Sequence, residues 1–208
     1  MSLPVLLLMI GLVYILLWGG LSSLRREGLS LRFVLEAMVI TLAFSGLAQW
    51  GEIQTHPVLF LIILYLITMR ARLLVDLANA FALRGQFVRA DALYDLAKRL
   101  WPNPGDKLIV RLNQGISLLQ QHKLDEAIAI FDEVLEQGGQ GYLGVKYEAA
   151  AHYNLGVAYL RKNMDAKASI AFNAVVDTWP ASEYARRAEV ALEKHRRKKT
   201  PSTTKEDI

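Results

Sequence analysis

The chain has 208 residues, 53% of them hydrophobic, a formal net charge of +4 and no cysteine. The missing thiols exclude disulfide, thiolate-zinc and thiol-redox chemistry and fit a reducing cytoplasm, while a mean hydropathy of +0.23 is high for a soluble protein. The apolar excess lies at one end. Residues 1–69 hold only three arginines (Arg25, Arg26, Arg32) and three glutamates (Glu27, Glu36, Glu52), and the rest of the chain carries the net positive charge. A membrane domain over 1–69 joined to a soluble domain over 71–199 is therefore expected.

Residues 3–21 are almost wholly apolar and long enough, at 1.5 Å per residue, to cross about 30 Å of hydrocarbon. A cleaved signal peptide would need a basic start and a small-x-small cleavage site, and neither is present. Further spans are expected over about 33–50 and 55–70. Arg70 and Arg72 can extend along their aliphatic stems to the interface, and with no Gly or Pro between Val58 and Arg84 the third helix is expected to run on into the soluble domain. Basic residues fall in the first loop (Arg25, Arg26, Arg32) and after the third span, none in the second loop, which predicts an outside amino terminus and a cytoplasmic soluble domain. These features describe a multi-pass integral protein of the cell membrane. Glu36, the one ionisable residue inside a predicted span, is one turn from the cytoplasmic end and is expected to pair there with Arg32 at i−4. His56 begins the third span as an interfacial polar residue, and Trp18 and Trp50 fit an aromatic belt.

The soluble part repeats. In residues 71–104, Leu74, Leu77, Ala78 and Phe81 form one helical stripe, Ala90, Tyr94 and Ala97 a second, Gly85 breaks between them and Pro102 ends the unit. Residues 108–141 place Gly115, Leu118, Ala127 and Phe131 at the offsets of Ala78, Phe81, Ala90 and Tyr94. Residues 149–182 place Gly156, Tyr159, Ala168 and Phe172 there, with Pro180 matching Pro102. Inserts of three residues (105–107) and seven (142–148) separate the copies. The second copy departs at Arg111, at Gln114 and at its Gly138-Gly139 exit. A unit of about 34 residues with this pattern resembles the tetratricopeptide repeat over roughly half the chain. The resemblance implies an all-α fold in which three transmembrane helices precede a right-handed α-α solenoid of three repeats. A capping helix over 182–199, started by Ser182 and ending in a basic stretch, closes the array, and 200–208 has the composition of a disordered tail.

In such solenoids the first helices line the concave face. Positions two, five, nine and twelve of the copies are Arg72, Val75, Asn79 and Ala82; Ile109, Leu112, Ile116 and Leu119; Ala150, Tyr153, Val157 and Leu160. The last two sets are apolar throughout, which suits an apolar peptide or amphipathic helix; filling by neighbouring first helices, by the cap or by a second copy is the alternative. Some relatives in this family grip a peptide carboxylate with two asparagines and three basic residues. Asn79 and Asn113 match the asparagines, but Val75, Ala150 and Asn154 occupy the basic positions, so a carboxylate would be desolvated without compensation. Asn113 and Asn154 remain candidates for bonding a ligand backbone.

No phosphate loop, HExxH or GxSxG motif is present, and His56, His122, His152 and His195 lack metal-ligand spacing. Neither a cofactor nor a metal is expected, and the basic end of the cap lacks the interleaved aromatics of a nucleic-acid surface. The expectation is a non-catalytic, membrane-anchored scaffold that binds a protein partner in this groove. The alternative is an accessory or assembly subunit of a membrane transporter or enzyme, recognised through its spans; homo-oligomerisation is open to both.

Overall fold

The computed structural model describes residues 2–24, 30–51, 56–139, 141 and 143–199. The loop residues Arg25, Arg26 and Glu27, the segment 52–55 and the tail 200–208 lie outside the described residues, so the expectations attached to them are not addressed by it. Ten helices follow one another in the described residues: α1 (Leu3–Leu24), α2 (Leu31–Gln49), α3 (Pro57–Thr68), α4 (Arg70–Ala82), α5 (Phe87–Arg99), α6 (Pro104–Gln120), α7 (Leu124–Gly138), α8 (Val145–Arg161), α9 (Asp165–Thr178) and α10 (Glu183–Lys199).

The first three helices share a small core of Leu7, Tyr14, Ala37, Phe60 and Leu64, while most other apolar side chains on them face outward. Helices α1 and α2 cross closely because Gly11 has no side chain: a Cβ there would lie 2.3 Å from Thr41 Oγ1. Polar groups in this bundle are matched internally. Ser45 donates to the Pro4 carbonyl at 3.1 Å, and Tyr14 meets the Thr68 hydroxyl at 2.6 Å. Ser30 caps α2 and His56 caps α3 through Nδ1, which accepts from the Val58 amide at 3.2 Å.

Among the described residues, α1 and α2 are long and apolar enough to cross a membrane alone; α3 reaches that length only together with α4, from which it is bent by 73°. The expected continuous helix from the third span into the first repeat is thus corrected. With only 12 residues, α3 is about 18 Å long. The break has an identifiable cause. Arg70 turns its guanidinium back onto the Ile67 carbonyl at 2.7 Å, and Thr68 spends its hydroxyl on the Leu64 carbonyl at 2.7 Å. A side chain inserted among the carbonyls of the last turn kinks a helix without any Gly or Pro.

Glu36 does form an ion pair, but with Arg70 rather than Arg32. Two near-parallel bonds of 2.6 and 2.9 Å join the carboxylate to the guanidinium, whereas Arg32 donates to the Pro102 carbonyl at 3.3 Å. Arg70 also donates to the carbonyls of Leu100 and Trp101 at 2.9 and 3.2 Å. One guanidinium therefore ties together α2, the end of α3 and the corner after α5.

Beyond the bend the helices form three antiparallel hairpins, α4–α5, α6–α7 and α8–α9, closed by α10. Each hairpin turns through one left-handed residue at the same place in the repeat: Gly85 (φ 71°), His122 (φ 61°) and Asn163 (φ 59°). The next amide then closes on a carbonyl five residues back, Gln86 to Phe81, Lys123 to Leu118 and Met164 to Tyr159, at 2.9–3.0 Å. Only the first of these turns uses glycine.

Inside the second and third hairpins the glycine of the first helix faces the aromatic of the second. A Cβ on Gly115 would come within 2.7 Å of the Phe131 ring, and one on Gly156 within 2.7 Å of Phe172. The first insert, 105–107, lies wholly in helix, and the second is helical from Val145 on. Asn103 caps α6 with Pro104 in its first turn, and α8 begins at Val145, so each first helix starts about a turn before the repeat register.

Candidate functional site

The expected concave face is built from α4, α6 and α8, which neighbour one another across the hairpins. Adjacent first helices cover part of it. Val75, Ile109, Leu112 and Leu119 are buried together with Ala82 and Ala150. Leu112 and Leu119 share a core with Ala150 and Leu155, and Val75 packs with Val110. Arg72, Asn79, Asn113, Ile116, Tyr153, Asn154, Val157 and Leu160 are half-buried. Tyr153 sits between two rings, Phe172 of α9 and Tyr184 of α10, with centroids 5.8 and 5.7 Å away, so the cap helix covers one of its faces.

The polar residues of this face have defined partners. Tyr94 donates to Asn79 Oδ1 at 2.5 Å, and Asn79 Nδ2 donates to Asn113 Oδ1 at 2.9 Å. Burial raises the Tyr94 phenol to about 12, which keeps its proton available for that bond. Asn113 and Asn154 each donate to the carbonyl one turn back, Ile109 and Ala150, both at 2.8 Å. The two asparagines that would hold a carboxylate in a clamp thus hold each other across the first and second hairpins. In α8, Asn154 keeps its side-chain carbonyl without a donor among the described residues.

The departures of the second copy also have a structural meaning. Arg111 reaches across to Glu133 on α7 and, at 3.3 Å, to Gln114, which also takes Lys98 of α5 at 3.4 Å. A polar bridge replaces the apolar contact that the repeat register would place there.

At the opposite end of the face lies a feature the residue pattern did not indicate. A cavity of about 300 Å³ opens where α4 bends away from α3. Its walls come from the end of α1 (Trp18), the start of α2 (Ser30, Phe33), Tyr65 of α3, Asp76 of α4 and the start of α6 (Asp106). Arg72 donates to Asp106 at 2.7 Å, and Asn103 holds the other Asp106 oxygen at 2.6 Å while capping α6 with its own carbonyl. The carboxylate is buried, satisfied and matched in charge. Sequence spacing gives no signal for this site because its walls come from five helices.

Titration offers a check on the repeats. Burial lowers the His152 pKa below 6.5, with Glu148 partly opposing it. The folded state therefore binds fewer protons here than the unfolded chain, and stability declines as pH falls from about 6.5 through the folded value. Asp91 and Asp132 have pKa values raised by burial above 3.8, so between 3.8 and their raised values a falling pH favours the folded state. Thermal melts of the full chain should show a loss beginning just below pH 6.5 and a partial recovery at lower pH; His152→Gln should abolish the loss and leave the recovery.

A family model described as tetratricopeptide repeat matches residues 106–181, which hold the second and third hairpins. Among solved structures, the N-terminal domain of stress-induced protein-1 from C. elegans is similar to this chain, with 21% identity and a TM-score of 0.49 over 61% of this chain and 97% of that one. No curated protein matches the chain.

Proposed function

We propose that this chain, whose residues 106–181 match a tetratricopeptide-repeat model, a class whose repeats mediate protein–protein contacts, is a non-catalytic, membrane-anchored scaffold. In this reading α1, α2 and the α3 corner sit in the cell membrane with the amino terminus outside, and the repeats recruit a protein partner on the cytoplasmic side. The charge distribution supports the orientation: Arg25, Arg26, Arg32, Arg70 and Arg72 all lie at one end of the predicted spans.

The observation that carries the binding role is the apolar strip left half-buried on α6 and α8, formed by Ile116, Val157 and Leu160. Each of these three side chains packs partly against the repeat cores and leaves the rest of its apolar surface uncovered among the described residues, and a contiguous apolar strip of this kind serves as a contact surface. Apolar anchors flanked by a carboxamide suit an amphipathic helix, whose i, i+3 and i+4 side chains dock on the strip. The buried members Val75, Ile109, Leu112 and Leu119 form its floor.

Ile116→Asp and Val157→Asp should each weaken partner binding roughly 30-fold, the loss of an anchor of about 2 kcal/mol. Photocrosslinking from position 157 in intact membranes, with exposed Glu193 as control, measures it. A discrete adduct with another protein from position 157 alone is expected. Adducts only between copies of this chain would replace the scaffold with self-assembly, and a partner lost on exchanging residues 1–69 for an unrelated anchor would favour recognition through the spans.

A further inference from the structure

The corner between α5 and α6 belongs to the repeats in sequence and to the first three helices in contact. Three successive carbonyls there accept from arginines at the ends of α2 and α3: Leu100 and Trp101 from Arg70 at 2.9 and 3.2 Å, and Pro102 from Arg32 at 3.3 Å. Trp101 and Pro102 also line a small recess together with Arg32 and Glu36. Residues 32–36 fall in the first two turns of α2, so the corner is held level with the start of that helix.

Docked in this way, Trp101 still leaves its side chain uncovered. The residue is 81% exposed and has a left-handed backbone at φ 51°, which is rare for a bulky side chain. Trp179 holds the same register in the third copy, but there the backbone is extended at φ −150° and the residue is 37% exposed. The outward ring of the first corner is therefore not a demand of the repeat. From Leu96 to Gly105 the chain carries Lys98 and Arg99 and no acidic residue. At the other end of α2, its cap residue Trp50 is 78% exposed. The 19 residues of α2 put these two levels about 28 Å apart, close to the thickness of a hydrocarbon core.

We propose that Trp101 is an interfacial anchor of the repeats, its indole seated among the lipid head groups of the cytoplasmic leaflet with exposed Arg99 near their phosphates. An indole joins an apolar ring to one N–H donor, which suits the boundary between hydrocarbon and water, and a basic neighbour without acids suits an anionic surface. Position selects lipid over a protein partner, because the surroundings of α2 at this level are the edge of the bilayer. The inference rests on the reading of α1–α3 as membrane-embedded and extends it: the bilayer touches the first repeat itself, not only the helices that precede it.

Depth-resolved fluorescence quenching of the full chain in phospholipid vesicles tests it. A chain with Trp101 as its sole tryptophan (Trp18→Phe, Trp50→Phe and Trp179→Phe) is compared with chains that keep only Trp50 or only Trp179. Phospholipids brominated near the glycerol end of the acyl chain should quench most of the Trp101 emission, and those brominated near the methyl end much less. Aqueous iodide should quench Trp101 less than Trp179. Lipid quenching of Trp50 without lipid quenching of Trp101 overturns the anchor alone, whether Trp101 is open to iodide or shielded from both quenchers by a protein surface such as a second copy. Absence of lipid quenching at both positions overturns the membrane reading as well. If the triple substitution lowers far-ultraviolet helicity, Trp101→Phe in the otherwise unchanged chain gives the same test by difference. The emission it removes should come from the lipid-quenched part, and an unchanged lipid-quenched part overturns the proposal.

Discussion

Phe172→Ala should lower the unfolding free energy of the repeats by about 3–5 kcal/mol, the range for a fully enclosed aromatic. Phe172 is 2% exposed and its ring lies flat against the bare backbone of Gly156, where a Cβ would meet three ring carbons at 2.7–3.0 Å. The converse change sharpens the test. Gly156→Ala contributes about 1 kcal/mol of helix propensity, but forcing a methyl group into that contact costs about 1–3 kcal/mol, so the net effect should be destabilising, and Gly156→Leu more so. Combining Gly156→Ala with Phe172→Leu should recover part of the loss, since residues in direct contact couple. Urea denaturation of the full chain in detergent, followed by circular dichroism, reads these four and Phe172→Leu alone, which completes the cycle. If Phe172→Ala cost less than about 1 kcal/mol, or the double variant were simply additive, the glycine–aromatic contact would not be what holds α8 to α9.

That contact was legible in the sequence because it is local: Gly115 and Phe131 are separated by the same interval as Gly156 and Phe172, and a shared interval is what a repeat displays. The left-handed turn residues were half legible. Gly85 signals its own turn, but His122 and Asn163 carry the same conformation with side chains that also occur in ordinary helices, so only their matching register could have revealed them. The bend at Met69 was not legible at all. Its cause is Arg70, whose partners are Glu36, 34 residues earlier, and Leu100 and Trp101, about 30 later, and no periodicity encodes a contact between one arginine and three separate elements. Burial on the concave face was legible only as an alternative, filling by neighbouring first helices, for a related reason. Val75, Ile109, Leu112 and Leu119 are positioned correctly by the repeat, but how far neighbouring first helices close over them depends on the spacing between hairpins, which the two inserts modify by lengthening α6 and α8.

Arg70→Ala should release the repeats from a fixed angle to the first three helices. The guanidinium supplies five contacts: two to Glu36 at 2.6 and 2.9 Å, and one each to the carbonyls of Ile67, Leu100 and Trp101 at 2.7, 2.9 and 3.2 Å. Charge-assisted bonds contribute about 1.5–3 kcal/mol each when enclosed. Here the pair is 25% and 35% exposed, so solvent screening leaves about 2–3 kcal/mol for the whole cluster. That is small against the stability of either body and large for an orientation, because a loss of about 2 kcal/mol multiplies the population of undocked states roughly 30-fold. Arg70→Lys should behave nearly as the alanine variant does, since an ammonium cannot present a planar fork to the carboxylate while also reaching two corner carbonyls. Glu36→Gln should fall between, keeping an oxygen acceptor but losing the charge. The chain has no cysteine, so spin labels at Leu12→Cys on α1 and Val88→Cys on α5, both exposed, report the angle directly. Pulsed dipolar spectroscopy should give one narrow distance for the wild-type background and a broad distribution for Arg70→Ala and Arg70→Lys, with far-ultraviolet helicity unchanged. A narrow distribution in the alanine variant would mean that packing between α3 and α4 sets the angle without the arginine.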